Sequence, residues 1–93
     1  MAVEVRIPPL VQRVTGGARS LNASGVTVNE LLADLDRQFP GFSKEIRDDS
    51  GQVHRFVNIY VNDEDVRFLN KLDTPVKDGD VVSILPAMAG GAA

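Results

Sequence analysis

Few side chains in this 93-residue chain are suited to chemistry. The absence of cysteine excludes disulfides, thiolate metal sites and every mechanism that uses a protein thiol or persulfide. The single histidine, His54, lies in a segment of strand-forming residues, where a polar surface role is the simplest interpretation. The spacings H-E-x-x-H, G-x-S-x-G and G-x-x-x-x-G-K do not occur. We therefore expect no catalytic residue in the folded domain, and we expect the protein not to be an enzyme.

The charged side chains do not predict a site either. Asp63, Glu64 and Asp65 follow one another at a predicted turn, a spacing more typical of a solvated loop than of a metal site. Arg55 and Arg67 could bind acidic groups of a partner, but a solvated arginine is the simpler interpretation. The sequence thus predicts no metal site and no bound cofactor.

The segment AMAGGAA, residues 87–93, is the remaining unusual feature. It follows the strand-like run VVSILP and contains the pair Gly90 and Gly91. Taken alone, such a segment is more typical of a frayed terminus than of a functional one. Its interpretation therefore depends on the fold that precedes it.

Length and composition indicate one compact domain, with 43% hydrophobic and 25% charged residues. The net charge of −3 disfavours nucleic acid or anionic lipid as a partner. No stretch approaches the roughly 20 apolar residues of a membrane span, and the opening MAVEVRIPPL lacks the pattern of a signal peptide. We expect a cytoplasmic protein whose partners are other proteins. We expect it to bind neither nucleic acid nor a membrane.

The N-terminal half is predicted to form a hairpin and a helix. Alternating residues predict strands over 2–7 and 18–23, joined through turn-forming glycines. An amphipathic helix should begin at Thr27, which forms a capping box with Glu30, and end before Pro40. Its predicted apolar stripe is Val28, Leu31, Leu32, Leu35 and Phe39.

The C-terminal half is predicted to add strands over 53–62 and 81–85. In the first of these, one set of alternating residues should face the helix, and the other places Phe56 and Tyr60 on the far side of the sheet. This aromatic pair is a candidate partner surface, although cross-strand packing explains it equally well. The predicted core-facing set is Val53, Val57, Ile59 and Val61.

The predicted order β, β, α, β, connecting region, β indicates an α+β fold of the β-grasp, ubiquitin-like type. We expect a mixed sheet of four to five strands, one main helix packed across it, and the first and last strands side by side in the middle. Residues 1–86 would form the domain, and residues 87–93 a flexible tail that carries the Gly-Gly motif.

Beyond the order of elements, three segments carry a family resemblance: HRFVNIYVNDEDVRF at 54–68, DGD at 78–80 and ILPAMAGG at 84–91. Together they resemble the ubiquitin-like sulfur carriers of the ThiS and MoaD type over nearly the whole chain. Within that group they look closest to the carrier that serves cysteine synthesis.

This resemblance implies a function for the tail. In such carriers an adenylyltransferase and sulfurtransferase, similar to ubiquitin-activating enzymes, uses ATP to adenylate the last glycine, here Gly91, and converts it to a thiocarboxylate. Ala89 and Gly90 would thread a narrow channel of the partner. The sulfur would then pass to an accepting synthase, such as a cysteine synthase or a thiazole-synthase-like enzyme.

The sequence departs from this pattern after Gly91, which is in peptide linkage to Ala92. An amide cannot be adenylated as a carboxylate can, so Ala92 and Ala93 must be removed first. The resemblance suggests a metalloprotease of the JAMM type for this cleavage between Gly91 and Ala92; alternatively, the alanines are an introduced block.

Three other functions remain open at this point. The chain could be the small subunit of a molybdopterin synthase, or a ubiquitin-like modifier joined to lysines of target proteins. The simplest alternative is a β-grasp interaction module whose Gly-Gly tail has no role.

Overall fold

The computed structural model describes residues 2–54 and 57–86. Its regular elements are β1 (Val3–Arg6), α1 (Pro9–Gln12), β2 (Ser20–Ala23), α2 (Val28–Gln38), α3 (Phe42–Ile46), β3 (Val57–Val61), β4 (Glu64–Asp65) and β5 (Val81–Pro86), with 3₁₀ turns at Val66–Phe68 and Lys71–Asp73. Within these described ranges, none of the helices is long and apolar enough to cross a membrane.

The five strands form one mixed sheet in the order β2-β1-β5-β3-β4. The central pair β1 and β5 is parallel, and the other neighbours are antiparallel. First and last strands therefore lie side by side, as predicted, and the predicted β-grasp arrangement is confirmed. The predicted strand over 53–62 is shorter in the structure, because β3 begins at Val57 and Asn62 already belongs to the turn that follows.

Helix α2 packs across one face of the sheet, as its apolar stripe requires. The Thr27 hydroxyl accepts from the backbone N–H of Glu30 at 3.2 Å, which confirms the predicted cap. The Glu30 carboxylate accepts in turn from the backbone N–H of Val26 at 3.0 Å. The fully buried residues of the core include Leu31, Leu32, Leu35, Val3, Val5, Ile59, Val82 and Ile84.

Two short helices, α1 and α3, were not predicted. Helix α3 follows the predicted stop at Pro40 and Gly41, because Gly41 adopts a φ of 97° and redirects the chain into a new turn. The carboxylate of Asp36 accepts from the backbone N–H of Ser43 at 3.0 Å. This arrangement holds Phe42 completely buried at the end of the core.

The start of β5 is held by a pair of polar side chains. Asn62 donates to the buried carboxylate of Asp80 at 2.9 Å and accepts from the backbone N–H of Val81 at 3.0 Å. The other oxygen of Asp80 accepts from the backbone N–H of Lys77 at 2.9 Å. These hydrogen bonds favour the ionised carboxylate and therefore lower the pKa of Asp80. The bond from Asn62 has the larger effect, and the bond from Lys77 the next.

The lowered pKa predicts an acid-sensitive contribution to folding stability. A carboxylate whose folded pKa lies below its unfolded value of about 3.9 stabilises the fold above that pH, and the stabilisation is lost as the pH falls through the folded pKa. We expect Asp80→Asn to lower the melting temperature at neutral pH, and the deficit to shrink as the pH falls below about 4. Asp49→Asn, at an exposed turn, is the control and should change little; a deficit for Asp80→Asn that is constant with pH would contradict the assignment.

Candidate functional site

The last strand that the structure describes, β5, leads into the predicted functional tail. Strand β5 ends at Pro86, which lies opposite Val57 at the start of β3. We call residues 87–91 the C-terminal arm, and Pro86 its root. The predicted site residues Ala89, Gly90, Gly91, Ala92 and Phe56 lie outside the described residues.

The strand that carries the arm is fixed in the middle of the sheet. Val82 and Ile84 are almost completely buried, and β5 is hydrogen-bonded to β1 on one side and β3 on the other. At its beginning, Val81 is bonded to Asn62 through both its N–H and its C=O. The root of the arm therefore has a defined position relative to every other element.

The outer face of the sheet, opposite the helices, presents Tyr60 near this root. Tyr60 lies opposite Ser83 in the ladder, and Asn58 lies opposite Leu85, whose side chain is 45% exposed. Tyr60 itself is half-buried. The prediction that Tyr60 points away from the core is confirmed by the alternation along β3, because the residues before and after it in the chain, Ile59 and Val61, are buried.

At the edge of the sheet, the prediction of a solvated acidic loop is correct for Asp63 and Glu64, which are exposed, and wrong for Asp65, which forms an ion pair. Asn62 and Asp63 adopt φ values of 49° and 74°, which form the tight turn between β3 and β4. Asp65 is then buried, not solvated, and its carboxylate accepts from Nε and Nη2 of Arg67 at 3.1 and 2.8 Å. It also accepts from the backbone N–H of Arg67 at 2.9 Å.

This contact fixes the ionisation of both partners. The hydrogen bonds from the Arg67 side chain hold the pKa of Asp65 below its ordinary value, and the carboxylate raises the pKa of Arg67. Arg67 is thus solvent-exposed, as the sequence suggested, and its guanidinium is also held in a set orientation by Asp65. No three metal-binding side chains come together anywhere in residues 2–54 and 57–86.

Phe68, next to Arg67, is an exposed aromatic residue that sequence reasoning missed. Its side chain is 83% exposed, and its ring lies 5.9 Å from the guanidinium carbon of Arg67. The neighbouring Leu69 is also exposed. The apolar pair Phe68-Leu69 after an acidic turn was the available signal, but a connecting region without periodicity gave no indication of which side chains would be covered.

A cavity of about 510 Å³ opens between β3, the two 3₁₀ turns and the segment before β3. Its apolar lining includes Val53, Val57, Ile59, Val66 and Leu72, and its polar lining includes His54, Asp65, Arg67, Lys71 and Asp73.

His54 makes hydrogen-bond contacts with the backbone of helix α3 in this region. Its backbone N–H donates to the carbonyl of Ile46 at 2.8 Å, and its ring Nε2 lies 3.3 Å from the carbonyl oxygen of Lys44. These contacts hold the segment before β3 against helix α3. His54 is therefore not in a strand, contrary to the predicted strand over 53–62.

The chain resembles known proteins over nearly its full length. Residues 5–91 match the ThiS family. The chain is 52% identical to the sulfur carrier protein CysO of Mycobacterium tuberculosis (strain H37Rv) over 93 residues, which cover 98% of this chain and 100% of that protein. A chain of the crystal structure of the BexX/CysO complex from Amycolatopsis orientalis superimposes with a TM-score of 0.88 at 47% identity, covering 97% of this chain and 100% of that one.

A more distant relative has a different name. Small archaeal modifier protein 3 of Haloferax volcanii is 35% identical over 65 residues, which cover 70% of this chain and 70% of that protein. These similarities confirm the resemblance that the segments at 54–68, 78–80 and 84–91 indicated.

Proposed function

Because the chain belongs to the ThiS family, we propose that it is a sulfur carrier whose Gly91 becomes a terminal thiocarboxylate and donates sulfur for the biosynthesis of cysteine or another sulfur-containing metabolite. The observation that carries the proposal is the extent of the family match, which continues past the end of β5 and stops at Gly91. The 52% identity to a sulfur carrier over nearly the full chain supports it further.

The proposed chemistry explains the residue type at position 91. A carboxylate oxygen of Gly91 attacks the α-phosphorus of ATP and releases pyrophosphate, which gives an acyl adenylate with AMP as a good leaving group. Sulfide (HS⁻) then attacks the acyl carbon and displaces AMP, and loss of the remaining proton leaves the thiocarboxylate. Glycine places no side chain beside the reacting carbon. The carrier acts as a co-substrate here, and the activating enzyme is what binds and consumes ATP.

The length of the arm supports delivery into a partner enzyme. Five residues follow Pro86 up to Gly91 and reach about 17 Å when extended. Ordering them in a channel costs on the order of 1 to 2 kcal/mol per residue, so much of the binding free energy must come from the folded domain. The outer face around Tyr60 and Leu85 lies beside the root of the arm and is the candidate for that contact.

We predict that Tyr60→Ser weakens binding to the activating enzyme without lowering the melting temperature substantially. Tyrosine is enriched among the interface residues whose truncation costs about 2 kcal/mol or more. Isothermal titration of the activating enzyme with each variant measures the effect. Val26→Ser removes a side chain that is 51% exposed at the start of α2 and is the control; equal affinities of the two variants would assign Tyr60 to packing alone.

The proposal requires that the peptide bond between Gly91 and Ala92 is cleaved before activation. A metalloprotease of the JAMM type is the proposed agent. Incubation with such an enzyme should release the two alanines that follow Gly91, which mass spectrometry would detect.

A second function, protein modification, is favoured by the similarity to an archaeal modifier protein. It predicts an isopeptide bond between Gly91 and target lysines, so adducts should accumulate in cell extracts to which the chain ending at Gly91 is added. If thiocarboxylate forms under the same conditions and no adduct does, the carrier function is favoured. The molybdopterin synthase alternative predicts instead a stable complex with a large catalytic subunit, which co-purification would detect.

A further inference from the structure

The surface on the other side of the arm's root combines a cavity with a projecting aromatic ring. Val57 lies opposite Pro86 in the ladder and also lines the cavity. Arg67 lines the same cavity, and the ring of Phe68 lies beside the Arg67 guanidinium. We call the cavity with Arg67 and Phe68 the arm-root surface, because Val57 connects the cavity to Pro86 and Arg67 connects it to Phe68.

The polar part of this surface is already ordered. Buried Asp65 binds the Nε and Nη2 edge of Arg67 and leaves Nη1 at the other edge of the guanidinium. Nη1 makes no hydrogen bond within residues 2–54 and 57–86. A partner carboxylate could therefore bind Nη1 without first having to immobilise a mobile arginine, which lowers the entropic cost of the contact.

The apolar part of this surface is accessible to a partner as well. Phe68 exposes 83% of its side chain on an ordered turn, and the nearby cavity is lined by Val57, Val66 and Leu72. This arrangement suits a reciprocal contact. The ring of Phe68 would insert into a recess of the partner, and a side chain of the partner would insert into the cavity.

We propose that the arm-root surface binds the activating enzyme, which places an apolar side chain in the cavity, a carboxylate against Arg67 and an apolar recess around Phe68. The inference rests on the proposed function, from which it takes an enzyme that holds the arm. A channel that receives the arm must open at Pro86, so the protein around that opening covers Val57 and the adjoining cavity. The activating enzyme is the chosen partner because it must hold the arm through two chemical steps, adenylation and sulfur transfer.

The experiment compares the affinity of the activating enzyme for full-length variants of the 93-residue chain. Phe68→Ser and Arg67→Gln remove the two projecting groups, and both positions are exposed. Val26→Ser is the matched control: Ala23 pairs with Val3 at the start of β1, so Val26 lies at the end of the sheet opposite Pro86. Titration calorimetry gives the dissociation constants, and thermal melting verifies that each variant is folded.

We expect Phe68→Ser to weaken binding about ten-fold or more, Arg67→Gln to weaken it several-fold, and Val26→Ser to leave it unchanged. If all three bind like the unmodified chain, while the chain ending at Gly91 is still converted to the thiocarboxylate, the inference is overturned and the proposed function is kept. Loss of binding to a sulfur-accepting enzyme alone would also overturn it, in favour of that partner. If the unmodified chain neither binds nor is converted, both proposals are wrong.

Discussion

Incubated with ATP, sulfide and the activating enzyme, the chain that ends at Gly91 is expected to exchange one oxygen for sulfur, and the chain that continues through Ala92 and Ala93 is expected to stay unchanged. The difference should be close to all-or-none, because the carboxyl group of Gly91 is free in the first chain and is an amide in the second, whose terminal carboxylate belongs to Ala93. Intact-mass spectrometry distinguishes the two products directly.

A series of chains ending at Gly90, Gly91, Ala92 and Ala93 provides the controls for this experiment. Each has a free terminal carboxylate, but only one places it at the position where the family match ends. Conversion of the chain ending at Gly91 alone would assign the reaction to that residue. Equal conversion of the chain ending at Ala92 would show that the enzyme accepts any terminal carboxylate and would contradict the need for trimming.

The second large effect concerns the fold. Phe42→Ala is expected to lower the free energy of unfolding by roughly 3 to 5 kcal/mol, because Phe42 is completely buried and its removal leaves a cavity under α3. Urea denaturation monitored by circular dichroism measures the change.

Phe68→Ala is the matched control for this stability measurement, since the same atoms are removed from a side chain that is 83% exposed. The loss of its contact with Arg67 should cost less than about 1 kcal/mol. Similar costs for both variants would mean that α3 does not hold Phe42 in the core as described.

Much of the fold could be predicted because its main elements have strong local signals. The capping box at Thr27 and the leucine stripe define α2, alternation defines β1, and strand-forming residues after the turn at Asp78 and Gly79 define β5. Helix α3 has only five residues, too few for a periodic pattern, and its start depends on the φ of Gly41. The sequence therefore predicted a stop at Pro40 but not the new helix.

The candidate site could be predicted only where it depends on the order of residues along the chain or on alternation within one strand. The Gly-Gly pair is visible in the chain itself, and the alternation of β3 was enough to place Tyr60 on the outer face. The burial of Asp65 and the exposure of Phe68 depend on how the first 3₁₀ turn folds back beside β3, a long-range arrangement without a sequence motif. The same acidic residue that looked solvated is thus the one that orients Arg67.

The position of β5 between β1 and β3 has a mechanical consequence. An enzyme that pulls on the arm applies tension along β5, and its ladders with both neighbours are loaded in shear, so that several hydrogen bonds must break together. An edge strand pulled away sideways would instead open one bond at a time. The carrier can thus be drawn by its arm into a channel, held there and withdrawn again while the domain remains folded.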